Sequence, residues 1–286
     1  MTTIPAEQNV ARYTVGLART AVEMRQAQRL RHRVFAEEMG ARLDTPITGL
    51  DVDPLDAYCD HLLVRRDDTG EVVGTYRLLA PGRSDRLYAD SEFDLGALAG
   101  IRPSLVEAGR ACVHPDHRDG AVVGLMWAGI ARYMVAGGHD WLAGCCSVPV
   151  SEAAGIADRV PLAPPEYRVT PLRPWQASKA ARAGHDAGDV RQASGRREND
   201  PEESSAGESS AGENGRDART GTLRPDVSRS EWAGLPPLLR GYLRLGAWVC
   251  GPPADDPEFG VADFFVLLPM SAVNPRYLRH FLGAPA

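Results

Sequence analysis

Leu105-Val106-Glu107-Ala108-Gly109-Arg110-Ala111-Cys112-Val113-His114-Pro115-Asp116-His117-Arg118-Asp119-Gly120 is the stretch on which the fold turns. Leu105 to Val113 reads as an apolar strand with a Glu and an Arg embedded in it, and His114-Pro115 stops it. A short loop carrying Arg118 and Gly120 follows. The long apolar run from Ala121 to Val135 then reads as a helix. A strand, a glycine-bearing loop and a helix start make an anion site, because free amides and the helix dipole converge there.

Around this centre, Tyr13–Leu17 reads as a first strand, and Thr20 as the cap of a helix from Ala21 to about Met39. Val22, Ala27, Leu30 and Val34 fall on one face of that helix, while Arg25, Arg29 and Arg33 form an i, i+4 row. Gly40–Tyr58 is a polar loop with several Asp and Pro. His61–Val64 and Val72–Leu79, separated by Asp67-Asp68-Thr69-Gly70, predict a hairpin. Gly137-Gly138 ends the central helix, and Trp141–Val148 predicts a strand after it. That strand–loop–helix–strand order is a βαβ-type unit. Further elements are expected at Leu235–Tyr242, Ala247–Cys250, Phe264–Met270 and Pro275–Phe281.

Gln176–Thr222 differs in kind, since apart from alanines its sole aliphatic or aromatic residue is Val190. Such a segment buries too little apolar surface to offset chain entropy and is expected to be a disordered insertion. The expected organisation is one domain, with residues 1–175 forming its core, 176–222 the insertion and 223–286 its C-terminal part.

Composition bounds the function. The chain has 286 residues, 43% of them hydrophobic, and a net charge of −6. An acidic protein offers no overall basic signature for nucleic acid or anionic membrane. Five cysteines without a CxxC pair argue against zinc ribbons and disulfide frameworks and fit a reducing cytosol. No signal-peptide pattern is expected at the N-terminus. The longest apolar stretches, Gly124–Ala136 and Val261–Met270, are too short to span a bilayer.

Glu107 and Arg110 are costly in an apolar strand unless paired or functional. A salt bridge between strands is one reading. The other makes Glu107 a proton acceptor acting through water, with Arg110 orienting a carboxylate or phosphate. Strict alternation puts residues three apart on opposite faces, so both reach one site only if the strand bulges, which Ala108-Gly109 would tolerate. In the loop, Gly120 lets the backbone approach a phosphate, the amides of Ala121, Val122, Val123 and Gly124 would donate to it, and Arg118 would add a charge-assisted bond. An ordinary turn is the alternative. His114, Asp116 and His117 lack metal-site spacing, and Cys112 and Cys145-Cys146 read as packed thiols. Arg25, Arg29, Arg31, Arg33, Arg240 and Arg244, with Arg276 and Arg279, form a basic patch suited to an acidic partner.

These segments together resemble the GNAT acyltransferase superfamily, and within it the ornithine-lipid N-acyltransferase branch related to acyl-homoserine-lactone synthases. The residues that carry the resemblance are Arg29–Glu38, Cys59–Val64, Gly74–Leu78, Ser91-Glu92-Phe93-Asp94, Glu107–Arg118, Pro236–Gly246 and Asn274–Tyr277. The resemblance implies an α/β (α+β) fold with a mixed, mostly antiparallel sheet flanked by helices, and a thioester donor bound where central strands splay. It implies transfer of a (3-hydroxy)fatty acyl group from acyl carrier protein to the α-amine of an amino acid, ornithine foremost. Glu107 and Arg110 would be catalytic. The donor's phosphopantetheine thioester, or acyl-CoA, would bind at Arg118 and Gly120–Gly124, with no other cofactor and no metal. The superfamily's phosphate loop is degenerate here, which favours acyl carrier protein, whose arm brings one phosphate and whose acidic surface suits the arginine patch. A cytoplasmic location, peripheral to the inner face of the membrane, fits a lipid product. Two other readings stand beside this one: an acyl-homoserine-lactone synthase, against which the absence of Trp from the first helix region counts, and a non-catalytic acyl-carrier or lipid-binding module.

Overall fold

The computed structural model describes residues 8–10, 12–176, 232 and 234–282. Its strands and helices, in chain order, are β1 (Gln8–Val10), β2 (Tyr13–Leu17), α1 (Ala21–His32), β3 (Asp60–Arg66), β4 (Val72–Leu79), β5 (Phe93–Asp94), β6 (Leu105–Val113), α2 (Ala121–Gly137), β7 (Trp141–Pro149), α3 (Ala153–Ala157), β8 (Thr170–Pro171), α4 (Pro237–Leu245), β9 (Trp248–Val249), β10 (Ala254–Asp256), β11 (Val261–Pro269) and α5 (Pro275–Leu282). The segment expected to be a disordered insertion lies outside the described residues beyond Gln176.

The main sheet runs β1-β2-β3-β4-β6-β7-β11-β10, with β9 also on β11. Every pairing is antiparallel except β6 with β7. That parallel pair is connected through α2, as the strand–loop–helix–strand order predicts. The fold is the mixed, mostly antiparallel sheet flanked by helices that the resemblance implies.

Local chemistry explains the elements. Thr20 caps α1 with a capping box, its hydroxyl accepting from the Glu23 amide at 3.2 Å while Glu23 accepts from the Thr20 amide at 3.0 Å. The helical path continues as a π-helix over Arg33–Glu38. Ala27, Leu30 and Val34 are buried, but Val22, the second residue of α1, is 63% exposed and does not join the apolar face. The apolar α2 packs on β2, β3 and β4. Gly138 closes it in the left-handed conformation, donating to Met134 and Val135 carbonyls. The hydrophobic core is thus split by the sheet, with α2 and α4 on one side and α1 on the other.

The site-forming feature is a fork. β6 pairs with β7 only over Leu105–Glu107, opposite Trp141–Ala143. From Gly144 onward β7 remains paired with β11, out to Pro149 opposite Val261. At the fork point a Cβ on Gly144 would collide with the Ala108 carbonyl, so glycine is what lets the strands meet there before parting.

Candidate active site

A cavity of about 320 Å³ opens at the fork. Glu107, Gly109 and Arg110 of β6, Arg77 of β4, Cys145 and Ser147 of β7 and Asp263 of β11 are among the residues that line it. Glu107 and Arg110 therefore do share one cleft. The device that brings them together is a bulge. β4 and β6 are in register at Thr75–Cys112 and again at Arg77–Gly109, so Arg110 and Ala111 together oppose Tyr76 alone. The bulge sits one to two residues beyond the expected Ala108-Gly109, and Arg110 takes the positive φ of 52°. Arg110 is the one non-glycine residue with such a φ among the described residues. A non-glycine residue held there points to a local demand that overrides backbone preference.

Glu107 is 5% exposed. Both its oxygens accept backbone amides, Oε2 from Tyr88 at 2.7 Å and Oε1 from Ala89 at 2.9 Å. Burial pushes its carboxyl above the ordinary value, against these amide bonds and the charge of Arg77. A carboxyl held in place and made more basic is suited to accept a proton.

Arg110 belongs to a buried network that the sequence reading did not find. Arg31 Nε lies 2.9 Å from Asp51 Oδ2, and Arg31 grips Asp56 through Nη1 at 2.9 Å and Nη2 at 2.6 Å. Arg77 Nη1 lies 2.8 Å from Asp53 and 3.4 Å from Asp56. Arg110 Nη2 lies 2.9 Å from Asp53, and its Nε 3.6 Å from Asp51. Three carboxylates thus meet three guanidiniums. Asp56 is held well below the usual carboxylate range, because bonds from Arg31 and Gln28 outweigh its desolvation. The aspartates come from the polar loop before β3, where Asp53 caps a short 3₁₀ turn over Pro54–Tyr58. Arg31 is fully buried, so it is not part of the surface arginine patch. Arg25, Arg29 and Arg33, on the other side of the helix, are exposed. The Arg110 guanidinium also lies 4.9 Å from the Phe259 ring centroid and 5.5 Å from that of Tyr88.

The expected phosphate loop does start α2, but part of its donor set is already engaged. Gly120 caps α2 with φ 94°, and Asp119 Oδ1 accepts the Ala121 amide at 3.1 Å. Arg118 lines the cavity, but its guanidinium is clamped bidentately on Glu38 at 2.6 and 2.8 Å. Gly120, Ala121, Val122, Val123 and Gly124 are not among the lining residues, and the Val122 side chain is wholly buried. His117 is used structurally, bonded through Nδ1 to the Tyr13 hydroxyl at 2.9 Å. Cys112 is a buried thiol pushed up to about 12. Cys145, expected in the core, instead lines the cavity.

Residues 30–128 match the acetyltransferase (GNAT) domain family. The chain is 34% identical over 295 residues to an L-ornithine N(alpha)-acyltransferase of Rhizobium meliloti, covering 97% of this chain and 86% of that protein. It is 31% identical to the protein of that name from Brucella abortus, covering 95% and 89%. Among solved structures it aligns with a CoA-dependent acyl-homoserine lactone synthase at 16% identity, covering 93% of this chain and 85% of that one with a TM-score of 0.46. With relatives alike at this level over nearly their whole length, the chain belongs to the L-ornithine N(alpha)-acyltransferase family within the GNAT acyltransferases, and is itself an acyltransferase.

Proposed function

We propose that the protein moves a (3-hydroxy)fatty acyl group from acyl carrier protein to the α-amine of ornithine, the first acylation in making an ornithine lipid. The observation that carries this reading is the joint placement of Glu107 and Arg110 in the cleft at the β6–β7 fork, in a chain whose near full-length relatives are named L-ornithine N(alpha)-acyltransferases.

The thioester enters the fork with its carbonyl against the bulge, where the backbone of Arg110–Ala111 departs from the β4 ladder and its amides would bond the oxyanion. The ornithine α-amine, whose ordinary pKa is roughly 8, must lose a proton to attack. Glu107, through a water it holds, accepts that proton. A C–N bond forms, the C–S bond breaks, and the proton that the nitrogen sheds as the amide forms passes to the departing sulfur, which leaves as the phosphopantetheine thiol. Arg110 lines the cleft and is the cation that would take the acceptor's carboxylate, with Asp51 and Asp53 holding its guanidinium in place. Because Asp119 and Glu38 occupy the Ala121 amide and Arg118, the loop offers chiefly the Val122 and Val123 amides. That suits the single phosphate of a carrier-protein arm. Exposed Arg25, Arg29 and Arg33 would steer the acidic carrier protein. No helix of the described residues is long and apolar enough to cross a membrane.

Expression in a host that lacks such lipids, followed by mass spectrometry of the lipid extract, tests the reading; N-acyl-ornithine is expected. Acyl-homoserine lactone in its place, or carrier-protein binding without transfer to any amine, would overturn it. Glu107→Gln should lower kcat by about 100- to 1,000-fold with donor binding retained. Since Glu107 also anchors Tyr88 and Ala89, a thermal melt must show the variant folded. Reversing Arg25, Arg29 and Arg33 to Glu should raise KM for acyl carrier protein roughly tenfold at low salt, and the effect should fade at high salt.

A further inference from the structure

The wall of the cleft opposite the arginine network carries charge of one sign. Asp263 lines the cavity beside Ser147, Tyr88 and Cys145, and Glu92 stands directly behind, with ligand atoms of Glu92, Cys145 and Asp263 all within 4.8 Å of one another. Glu92 and Asp263 are each 2% exposed. Neither is in an ion pair, and Glu92 Oε2 and Asp263 Oδ1 are buried with no hydrogen-bond partner among the described residues. Asp256, 4% exposed, adds a third acid nearby, though its Oδ1 is used by the Glu258 and Phe259 amides.

Buried carboxyls this close do not both ionise. Burial pushes both up, Glu92 to about 8 with the charges of Asp263 and Asp256 adding to it, and Asp263 to about 6 with the charge of Asp256 adding to it, against hydrogen bonds from Tyr88 and Cys145 to Glu92 and from Ser147 and Glu92 to Asp263. Near neutral pH the pair thus holds about one unmatched negative charge. A buried charge without a counter-ion is costly, and a cationic ligand would relieve that cost. Glu92 lies in the Ser91-Glu92-Phe93-Asp94 segment, which the mechanism above leaves unused.

Resting on the reading of this cleft as the site of ornithine acylation, we propose that Glu92 and Asp263 form the subsite that holds the side-chain ammonium of the acceptor. The acceptor's three polar groups then have one partner each. Arg110 takes the carboxylate, Glu107 the proton of the reacting amine, and the acid pair the distal ammonium. Tyr88 bridges the subsites, with its amide on Glu107, its ring near Arg110 and its hydroxyl beside Glu92. Selection for a diamino acid then comes from a paired charge and not from chain length alone.

The test compares ornithine with norvaline, which keeps the carbon chain and lacks the side-chain amine, in steady-state assays of the full chain with acyl carrier protein as donor. The wild-type protein should prefer ornithine by at least roughly 100-fold in kcat/KM, since a site built to bind a charged group rejects the analogue lacking it. In Glu92→Gln and Asp263→Asn the preference should collapse toward unity, with the loss falling on KM for ornithine and not on kcat. Folded variants that keep the wild-type ratio would overturn the proposal. So would a wild-type preference abolished by EDTA, which would assign the pair to a metal ion. Should either variant fail to fold, direct titration of the wild-type protein decides, because ornithine binding no tighter than norvaline binding overturns the subsite. A wild-type enzyme that acylates norvaline and other neutral amino acids but not ornithine refutes the acceptor assignment itself, an outcome distinct from a lost ratio in the variants.

Discussion

On one wall of the cleft Asp51, Asp53 and Asp56 are matched by Arg31, Arg77 and Arg110, with Asp53 and Arg110 partly exposed and the rest buried; on the other, two buried carboxyls have no cation within ion-pair distance among the described residues. Asp56 on the first wall is about as buried as Glu92 and Asp263 on the second, so burial alone does not set their behaviour. The partner decides. Asp56, gripped by Arg31, is forced to stay ionised, whereas Glu92, facing Asp263, is forced to hold its proton near neutrality. The matched wall is built to be permanent. The unmatched wall is built to be completed by something else.

The largest expected effect comes from breaking the match. Arg31→Met keeps an unbranched apolar stem and removes the guanidinium, leaving Asp51 and Asp56 buried with their principal counter-ion gone. Removing one partner of a buried pair costs about 3–5 kcal/mol, which is a large part of the stability of a single domain. Urea unfolding should show a midpoint shift of that size with little change in slope. A shift under about 1 kcal/mol would mean that water or a rearranged Arg77 satisfies the aspartates, and that the matched wall is less rigid than its geometry implies.

A smaller effect is expected at the hinge of the two walls. Gly144→Ala places a methyl against the Ala108 carbonyl, forcing β6 and β7 apart where they should still be paired. Overpacking of this kind costs about 1–3 kcal/mol. Because the fork sets the spacing between Glu107 and Asp263, the variant should lose activity at temperatures where it remains folded. Circular-dichroism melts alongside acyl-transfer assays check both halves. Wild-type turnover in a destabilised variant would show that the fork angle is not what positions the chemistry.

The two walls also differ in how visible they were in the sequence. β6, α2 and β7 were legible because each is an apolar run bounded by proline or glycine, and local chemistry alone fixes such boundaries. Glu107 and Arg110 stood out because a charge inside an apolar strand demands an explanation. The matching aspartates did not. Asp51, Asp53 and Asp56 lie in a loop without periodicity, and a run of acids in a loop looks solvated until a buried Arg31 is seen to meet it. Their available signal was Asp53-Pro54, a cap for a short turn. Arg31 was misassigned to the surface for the complementary reason, since its neighbours Arg29 and Arg33 are exposed and one charged residue on an amphipathic helix resembles another. Glu92 and Asp263 were less legible still, because their meeting depends on the pairing of β11 with β7, a contact between distant parts of the chain. α2 does begin at Ala121, but nothing in the sequence pairs Arg118 with Glu38.

The smallest effect separates the walls by pH. For Asp56 the folded value lies below the unfolded one, so its stabilisation is present above about 4 and is lost as pH falls further. Glu92 and Asp263 have the opposite sign. Their folded values, about 8 and about 6, lie above the unfolded ones, so between about pH 4 and pH 8 the folded state binds more protons than the unfolded state. Stability from this pair therefore falls as pH rises through that window. Glu92→Gln removes the titration while keeping the shape. It should raise Tm by a few degrees at about pH 8 and change it little at about pH 5, and the alkaline limb of the stability curve should flatten. The acid limb, set by the matched wall, should not move. A parallel drop of both limbs would show Glu92 to be structurally paired like Asp56, and the contrast between the two walls would then disappear.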